Sequence, residues 1–438
     1  MKFLKQIFHT TRRVVAKYWL SKIHVTQIAI TGSQGKTAVS QGLYKMLETL
    51  RPVVVTDVNL DTIYNVPITA IHVRPYHQYA IFELGIDHLK EMDFHLDIVK
   101  PGIAVITGVS PVHSDEAHMK SFDNVIIEKR KLIEALSSDG VAILNYSDEN
   151  IRTMAKHTKA KVVWYGKNED FIARHPVEQQ DPEVNSNHWM PASAGMKETK
   201  EGLTTKNYIS YSNIKVTTEG TEFDLFDNLN ISKNPPNPDS GQARVTGGNT
   251  KNDSKKIHIK TKLIGTFHAS NICAIYCILK SLNPYFVNNF DVGVAELLTP
   301  LPGRMNIEEG PNKTIVLNDS LRANPISTSA GLETFSKIEY KSGRKVAILA
   351  DMGELEKPSE EHKKIGKLLA KLPIDVVVCA GKWQKFVAME ARKNHKLEVH
   401  YFDTVDDAKG DIFKIIKPKD FVYLKGSKYS YVGKILGS

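Results

Sequence analysis

Residues 25–40 read Val-Thr-Gln-Ile-Ala-Ile-Thr-Gly-Ser-Gln-Gly-Lys-Thr-Ala-Val-Ser. An apolar, partly β-branched run ends here in a short segment with two glycines, and apolar residues then recur at helical spacing as far as Leu50. The stretch therefore predicts a buried strand, a tight loop and an amphipathic helix, in that order. This succession is typical of α/β folds with parallel sheets.

Residues 31–37 within this stretch have the composition of a phosphate-binding loop. Gly32 and Gly35 allow a tight turn whose N–H groups point inward, and the following helix adds the positive end of its dipole. We expect Lys36 to reach the outer phosphates of a nucleotide and the Thr37 hydroxyl to bind Mg²⁺. Ile30 takes the place of the first glycine of the general motif, so the loop is a short form. Nucleotide chemistry is the leading hypothesis, and a coincidental glycine turn is its alternative.

The composition is that of an ordinary globular chain of two or three domains. The chain has 438 residues, a formal net charge of +9 and 24% charged residues. Because acidic and basic residues are interspersed over most of its length, we expect no nucleic-acid partner. Cys273, Cys277 and Cys379 lack metal-ligand spacing and lie in apolar contexts, which favours core positions in a reducing cytoplasm.

The first 24 residues contain six lysine and arginine residues, no acidic residue and many apolar ones. They predict a basic amphipathic helix, but no apolar run is long enough for a membrane span. Such a helix can dock on the protein's own core, which we favour, or lie on anionic lipid as a peripheral membrane contact, or serve as a presequence. The expected location is cytoplasmic, with membrane association in the second case.

Apolar strands alternate with helical stretches along two parts of the chain. Strands expected at residues 80–82, 103–106 and 141–144 predict a mostly parallel sheet in a domain that spans residues 25–300. A second alternating series predicts another α/β domain at residues 301–438, without a Gly-x-Gly-x-x-Gly segment for a dinucleotide.

Two polar stretches, residues 170–205 and 228–256, interrupt the first domain. They are rich in Pro, Asn, Ser, Gly and Lys, and such segments bury too little apolar surface to offset the entropy of ordering. We expect both to be disordered insertions that flank a β-hairpin at residues 207–226, with its turn near Gly220.

Four further groups of residues accompany the loop. Glu83 follows a buried strand and His113 comes shortly after the next one, so a carboxylate and an imidazole are expected where metal ions could be held on a triphosphate. The other groups are Glu-Lys-Arg-Lys at residues 128–131, Gly-Thr-Phe-His-Ala-Ser-Asn at 265–271, and Pro-Gly-Arg at 302–304 with Asn-Asp-Ser at 318–320. Their joint order carries more weight than any one group.

In this order and spacing the chain resembles the Mur ligase family of ATP-dependent amide-forming enzymes. Within the family it most resembles the branch that adds D-alanyl-D-alanine to UDP-N-acetylmuramoyl-tripeptide. The resemblance runs from about residue 25 to 437, apart from the two insertions. It implies a central P-loop ATPase domain followed by a C-terminal Rossmann-like α/β domain. The implied reaction makes an amide of a peptidoglycan precursor through an acyl phosphate.

The resemblance also implies roles for individual residues. ATP is implied to bind Gly32, Ser33, Gln34, Gly35, Lys36, Thr37, His268, Asn271, Arg304 and Asp319. Mg²⁺ is implied to bind Thr37, Glu83, His113 and Lys129, the last as a carbamate formed with CO₂. The implied catalytic residues are Lys36, Lys129, His113 and Arg304. The acceptor and the incoming amine are implied to contact Asn59, Asn324, Asp351, Glu354, Lys425 and Ser427.

Some positions depart from the pattern of that branch. Only 24 residues precede the first strand, so we expect the N-terminal UDP-binding domain of the family to be missing. Residues 319–322 read Asp-Ser-Leu-Arg where the branch has Asp-Ser-Tyr-Asn, which places Arg322 where an amide is usual on the substrate side. The nucleotide site therefore matches better than the acceptor site.

The alternatives are another amide ligase of the superfamily with a different acceptor, a nucleotide-binding regulatory homologue without ligase activity, and a kinase or simple ATPase. We expect a monomer whose partners are a small cell-wall precursor and an amino acid or dipeptide.

Overall fold

The fold is given by a computed structural model of the chain. The residues that it describes are 2–57, 62–111, 118–172, 207–229, 255–353, 355, 357–427, 430 and 432–436. Most of the two predicted insertions lies outside these residues, as do Asn59, His113 and Glu354. Within the described part of the chain, no helix is long and apolar enough to cross a lipid bilayer.

The first of two sheets contains nine strands among the described residues. They are β1 (Thr26–Thr31), β2 (Val53–Val55), β3 (Tyr79–Glu83), β4 (Ile103–Ile106), β5 (Val141–Asn145), β6 (Lys161–Lys167), β7 (Tyr208–Thr217), β8 (Gly220–Asp227) and β9 (Lys255–Thr261). Their spatial order is β2-β3-β1-β4-β5-β6-β7-β8-β9, parallel from β2 to β7 and antiparallel from β7 to β9. The predicted parallel strands and the predicted hairpin, now β7 and β8, are confirmed.

Helices cover both faces of this sheet because its central strands are apolar on both sides. The helices are α1 (Lys2–Lys22), α2 (Lys36–Glu48), α3 (Thr62–His72), α4 (Glu91–Leu96), α5 (Phe122–Glu134), α6 (Glu149–Met154), α7 (Asn168–Ile172), α8 (Phe267–Leu282) and α9 (Phe290–Leu297). One buried cluster joins the sheet to α2, α8 and α9, and a second joins it to α1 and α3 to α6. Burial of this apolar surface is the main force that holds the layers together.

The second sheet is also mostly parallel and belongs to the C-terminal part of the chain. Its strands are β10 (Asn306–Glu309), β11 (Ile315–Asp319), β12 (Lys345–Ala350), β13 (Val376–Ala380), β14 (Glu398–Phe402) and β15 (Phe421–Lys425). Their order is β10-β11-β15-β12-β13-β14, with only β10 antiparallel to its neighbour among the described strands. Its helices are α10 (Pro325–Lys337), α11 (Pro358–Leu369), α12 (Gln384–Ala391) and α13 (Val405–Ile415). The first three of these helices pack on one face and α13 packs on the other.

The N-terminal helix α1 docks on the protein's own core, as the favoured alternative predicted. Ala16 and Leu20 are buried in the cluster that α1 shares with α3. Trp19 Nε1 donates to the carbonyl oxygen of Val73 at 2.9 Å, and Lys17 pairs with Asp97. One face of α1 is therefore part of the domain, and its opposite face is turned to solvent.

The two sheets meet through the far end of the β7–β8 hairpin and the segment before α8. Val216 and Ile264 share a buried cluster with Met305 and with the core of the C-terminal sheet. Arg304 and Arg322 of the C-terminal part act on Lys36, so their loops lie near the carboxyl end of β1, where ligands of open α/β sheets usually bind.

Candidate functional site

The loop between β1 and α2 has the tight geometry predicted from its glycines. Gly35 has a φ of 80°, a left-handed conformation that favours glycine. The Thr107 hydroxyl, at the end of β4, donates to the carbonyl oxygen of Gln34 and holds the loop in place. A Cβ atom on Gly35 would lie 2.6 Å from Oδ1 of Asn271. The chain therefore forms a closely packed turn at the N-terminus of α2, the kind of geometry that binds phosphate.

Lys36 opens α2 and its side chain folds back over the loop. Its Nζ donates to the carbonyl oxygen of Gly32 at 2.7 Å. Burial lowers the pKa of Lys36, the Glu83 carboxylate opposes the shift, and the charges of Arg322 and Arg304 lower it further. The ammonium thus lies where charges from both domains act on it.

Glu83 and Thr37 lie side by side and could share a metal ion. Thr37 Oγ1 donates to Glu83 Oε1 at 2.9 Å, and Ser40 Oγ donates to Oε2 at 3.1 Å. Mg²⁺ usually binds one or two carboxylates together with phosphate oxygens and water, so these oxygen atoms fit it. No cluster of three His, Cys, Asp or Glu side chains suited to a metal occurs among the described residues. The predicted ligand His113 lies outside those residues.

Lys129 points from α5 into a buried environment near the same loop. It is 3% exposed and has no hydrogen-bond or ion-pair partner among the described residues. Burial, and then the Lys36 charge, lowers the pKa of Lys129 to about 7, although Asp87 opposes the shift. Its neighbour Lys131 differs, because it pairs with Asp93. Lys129 is therefore a lysine with a substantial neutral fraction near pH 7.

The first two turns of α8 carry His268 and Asn271, two of the residues predicted to bind ATP. His268 is buried, and burial lowers its pKa to about 3, so its imidazole is neutral at pH 7. Its Nδ1 atom has no hydrogen-bond partner among the described residues. A buried nitrogen without a partner is costly, which favours a ligand at this position. Asn271, one turn along, touches the phosphate-binding loop.

The C-terminal domain brings Arg304 to the loop. Burial and the neighbouring Arg322 lower the pKa of Arg304, whereas Glu83 and Asp319 act in the opposite direction. Arg304 therefore stands near a carboxylate of the central domain as well as one of its own domain. This geometry agrees with a cation delivered to a phosphate when the two domains meet.

Asp319 and Lys425 form a buried pair at the ends of β11 and β15. Lys425 Nζ donates to Asp319 Oδ2 at 2.6 Å, and the Tyr423 hydroxyl donates to the same atom at 3.0 Å. Burial raises the pKa of Asp319 and the Lys425 charge opposes the shift. Lys425, predicted to contact substrate, thus holds Asp319 in position in this structure.

Two domain families match the chain. The Mur ligase middle domain matches residues 30–200, and the Mur ligase glutamate ligase domain matches residues 303–428. This chain belongs to the Mur ligase family.

Curated relatives of this Mur ligase include the UDP-N-acetylmuramoyl-tripeptide–D-alanyl-D-alanine ligases of Buchnera aphidicola and Escherichia coli. The Buchnera protein is 25% identical over 92% of this chain, which covers 73% of that relative. The Escherichia protein is 23% identical over 81% of this chain, and the match covers 64% of its length. The chain thus spans about two thirds to three quarters of these two proteins.

Solved structures show the same fold. MurF from Acinetobacter baumannii superposes with a TM-score of 0.73 and 21% identity, covering 98% of this chain and 79% of MurF. MurF from Thermotoga maritima in complex with ADP gives a TM-score of 0.72 and 18% identity, covering 98% of this chain and 82% of MurF. The predicted fold class is therefore confirmed.

A cavity opens at the carboxyl ends of β12 and β13 of this Mur ligase. Its volume is about 470 Å³, and its lining includes Asp351, Lys382, Asp403 and Ser427. Asp351 Oδ1 also accepts the backbone N–H groups of Trp383 and Gln384 at 3.0 and 3.1 Å. Two of the predicted substrate residues, Asp351 and Ser427, thus line one cavity.

Asn324, another predicted substrate residue, has a structural role. Its side chain accepts the backbone N–H of Ser327 at 2.8 Å and caps α10 in a capping box. The predicted substrate residues Asn59 and Glu354 lie outside the described residues.

The structure adds residues that the sequence patterns did not single out. Ser40 lies one helical turn after Lys36 and Thr37, so helical spacing could have placed it beside Glu83. Asp87 acts on both Lys36 and Lys129, but it lies in a loop after β3 that offers no periodic signal. Arg322 differs from these two, because the sequence already marked it as a departure from the family pattern; it acts on the loop only because the two domains are in contact.

Proposed function

We propose that this Mur ligase is an ATP-dependent, ADP-forming ligase that joins D-alanyl-D-alanine to a muramyl tripeptide in peptidoglycan precursor synthesis. The names of its curated relatives support this activity. The observation that carries the proposal is the convergence of Lys36 and Arg304, from two domains, near Glu83, with Lys129 close to Lys36. Such a site suits a triphosphate whose outer phosphoryl group is transferred.

Activation of a carboxylate is the chemical task of such an enzyme. A bare carboxylate attacked by an amine has no workable leaving group. The acceptor carboxylate therefore attacks the γ-phosphorus of ATP, the bond to the bridging oxygen breaks, and ADP leaves. The amine then attacks the acyl phosphate, inorganic phosphate leaves, and the amine loses a proton as the amide forms. Lys36 and Arg304 neutralise the charge on the transferred phosphoryl group.

We propose that Thr37 and Glu83 hold Mg²⁺ in the working enzyme. When bound, the ion supplies positive charge to the phosphate oxygens. Ser40 and Thr37 keep the Glu83 carboxylate in place through their hydroxyl groups.

We propose that Lys129 is carbamylated. The neutral amine attacks CO₂, a nitrogen–carbon bond forms and one proton leaves the nitrogen to solvent, which converts a cation into an anionic carbamate. Only the neutral amine reacts, so the lowered pKa of Lys129 supports this step. The carbamate oxygens would add negative charge to a site that is rich in cations.

The cavity beside Asp351 is the proposed site of the incoming dipeptide. The carboxylates of Asp351 and Asp403 suit an ammonium group, and Lys382 suits a carboxylate, so the lining matches a zwitterion. The nearby Ser427 adds a hydroxyl group to the same lining.

Product analysis tests the proposed activity. Mass spectrometry after incubation with ATP, Mg²⁺, a muramyl tripeptide and D-alanyl-D-alanine should find the pentapeptide product, with ADP release that depends on the dipeptide. Lys36→Ala and Lys129→Ala should abolish the product, whereas Lys156→Ala, at an exposed lysine, should not. Dipeptide-independent ADP release would favour an ATPase. ATP binding without turnover would favour a regulatory homologue, and a product with another amine would favour a different ligase.

We also propose that the outward face of α1 contacts an anionic membrane surface. Phe8, Val14 and Tyr18 are 57%, 64% and 65% exposed on this face. The Arg12 guanidinium lies 4.3 Å from the Phe8 ring centroid, and α1 contains no acidic residue. Exposed apolar side chains with adjacent cations match anionic lipid.

Vesicle sedimentation tests the membrane contact. Vesicles of phosphatidylglycerol should bind the protein and vesicles of phosphatidylcholine should not. Val14→Ser combined with Tyr18→Ser should remove the binding. Equal sedimentation with both vesicle types, or none with either, would contradict the proposal.

A further inference from the structure

Arg322 lies on a loop at the junction of the two domains, and backbone hydrogen bonds fix the residues on either side of it. The backbone N–H of Leu321 donates to the carbonyl oxygen of Gly303 at 3.1 Å, next to Arg304. On the other side, the carbonyl oxygen of Ala323 accepts the backbone N–H of Gly353 at 3.2 Å. Both flanking residues are therefore tied to other loops, and Arg322 between them is exposed.

The charge of Arg322 acts on the phosphate-binding loop as well as on its own domain. It is close enough to lower the pKa of Lys36 in the central domain and of Arg304 in the C-terminal domain. The positively charged side chains of Lys36, Arg304 and Arg322 thus lie close together at the junction of the domains. Lys129 lies close to Lys36 and adds a second amine.

The carboxylates near this junction do not balance the cations. Glu83 accepts hydrogen bonds from two hydroxyl groups, and Asp319 already pairs with Lys425. Asp87 is one further carboxylate that acts on Lys36 and Lys129, so three carboxylates, one of them already paired, face the cations of Lys36, Arg304 and Arg322. Neither Arg304 nor Arg322 has an ion pair or a side-chain hydrogen bond within the described residues. Clustered cations without partners repel each other, and an anion that enters between them relieves this repulsion.

We propose that Arg322 is a further substrate-contacting residue that binds the oxyanion formed where the γ-phosphate of ATP meets the acceptor carboxylate. The inference rests on the proposed ligase function and names a residue that the family pattern does not supply, because an amide is usual at this position. A guanidinium can bind two oxygen atoms at once, so it suits either a phosphoryl group or a carboxylate. Arg304 and Lys36 then hold the same group from the other sides.

The test compares Arg322→Asn with Arg392→Asn, a control arginine that is exposed just after α12, at the opposite edge of the C-terminal sheet. Calorimetry with Mg²⁺ measures the affinity for ADP and for adenosine β,γ-imidotriphosphate. Steady-state assays measure the KM for the muramyl tripeptide and kcat. Circular dichroism confirms that each variant is folded.

Two results would support the proposal and would identify the oxyanion. If the γ-phosphate is the ligand, Arg322→Asn should lose about tenfold or more in affinity for the imidotriphosphate while the ADP affinity stays within about twofold. If the carboxylate is the ligand, the nucleotide affinities should stay unchanged while the KM for the tripeptide rises about tenfold. Arg322→Lys should recover part of the loss because it keeps the charge without the planar fork.

Two results would overturn the proposal. One is no change in either quantity relative to Arg392→Asn. The other is an equal loss of ADP and imidotriphosphate affinity, because that would indicate a general change in the nucleotide site. The affinities for ADP and for the imidotriphosphate can be measured even if the wild-type protein makes no amide. Failure of the proposed ligase function is therefore distinguishable from failure of this inference.

Discussion

Replacement of the buried Lys129 by methionine should change how stability depends on pH. The pKa of this amine is 10.5 in an exposed lysine and about 7 in the folded protein. Between these values the unfolded chain keeps the proton and the folded protein does not, so the free energy of unfolding rises with pH. Below pH 7 both states bind the proton, and the lysine adds no further pH dependence.

The size of the effect follows from linkage. A full difference of one proton changes the free energy of unfolding by about 1.4 kcal/mol per pH unit. Between pH 7 and pH 9 the free energy of unfolding of the wild-type protein should therefore rise by about 2 kcal/mol relative to that of Lys129→Met. The slope is below its full value near pH 7 because the folded amine is still half protonated there. At pH 7 the variant should be the more stable of the two, because it does not bury an ammonium group.

Urea denaturation at pH 7, 8 and 9 measures this difference. Buffers without CO₂ keep the amine from forming a carbamate during the experiment. Lys156→Met is the matched control, because its ammonium group lies in water in both states and should give a difference that does not vary with pH. The free energy of unfolding of the wild-type protein minus that of Lys129→Met should rise from pH 7 to pH 9. If this difference is instead the same at every pH, Lys129 is not held as a largely neutral amine.

Three further predictions concern single residues. Glu83→Gln keeps the shape of the side chain but removes its charge, so the Mg²⁺ concentration needed for half-maximal ADP release should rise at least about tenfold, and an unchanged Mg²⁺ titration would argue against a metal ligand. Gly35→Ala should lower the free energy of unfolding, measured by urea denaturation, by about 1–2 kcal/mol and should weaken ADP binding. The reasons are the left-handed φ of Gly35 and the Asn271 side chain beside it. An unchanged ADP affinity would contradict the packing seen around the loop. Lys280→Met leaves the Asp227 carboxylate, 6% exposed, without its cation and should destabilise the protein by about 3–5 kcal/mol, and a denaturation midpoint equal to that of the wild type would refute this.

Local patterns sufficed for the elements that carry the site. The strand at residues 25–31, the two glycines and the helical spacing after them predicted β1, the loop and α2 as the structure has them. The hairpin of β7 and β8 was also predictable, since alternation and a glycine turn are local signals. The positions of His113 and of most residues in the two insertions stay predictions, because they lie outside the described residues.

Long-range contacts decided what local patterns left open. Whether α1 packs on the core depended on α3, which offers a complementary apolar face, and no residue of α1 reveals that face. In the same way, Lys425 was predicted from its motif to contact substrate, but its pairing with Asp319 depends on the adjacency of β11 and β15. Strand order is a property of the whole sheet, so a single motif cannot predict it.

The sequence by itself determined the class of chemistry of this Mur ligase, because the residue types of the loop and of its accompanying motifs suit a nucleoside triphosphate. The tertiary structure alone decided the electrostatic state of those residues. Lys129 becomes a partly neutral amine because the fold removes it from water beside Lys36, and Arg322 becomes part of the site because two domains meet there. Desolvation and Coulomb interactions depend on distances through space, and spacing along the chain does not specify them.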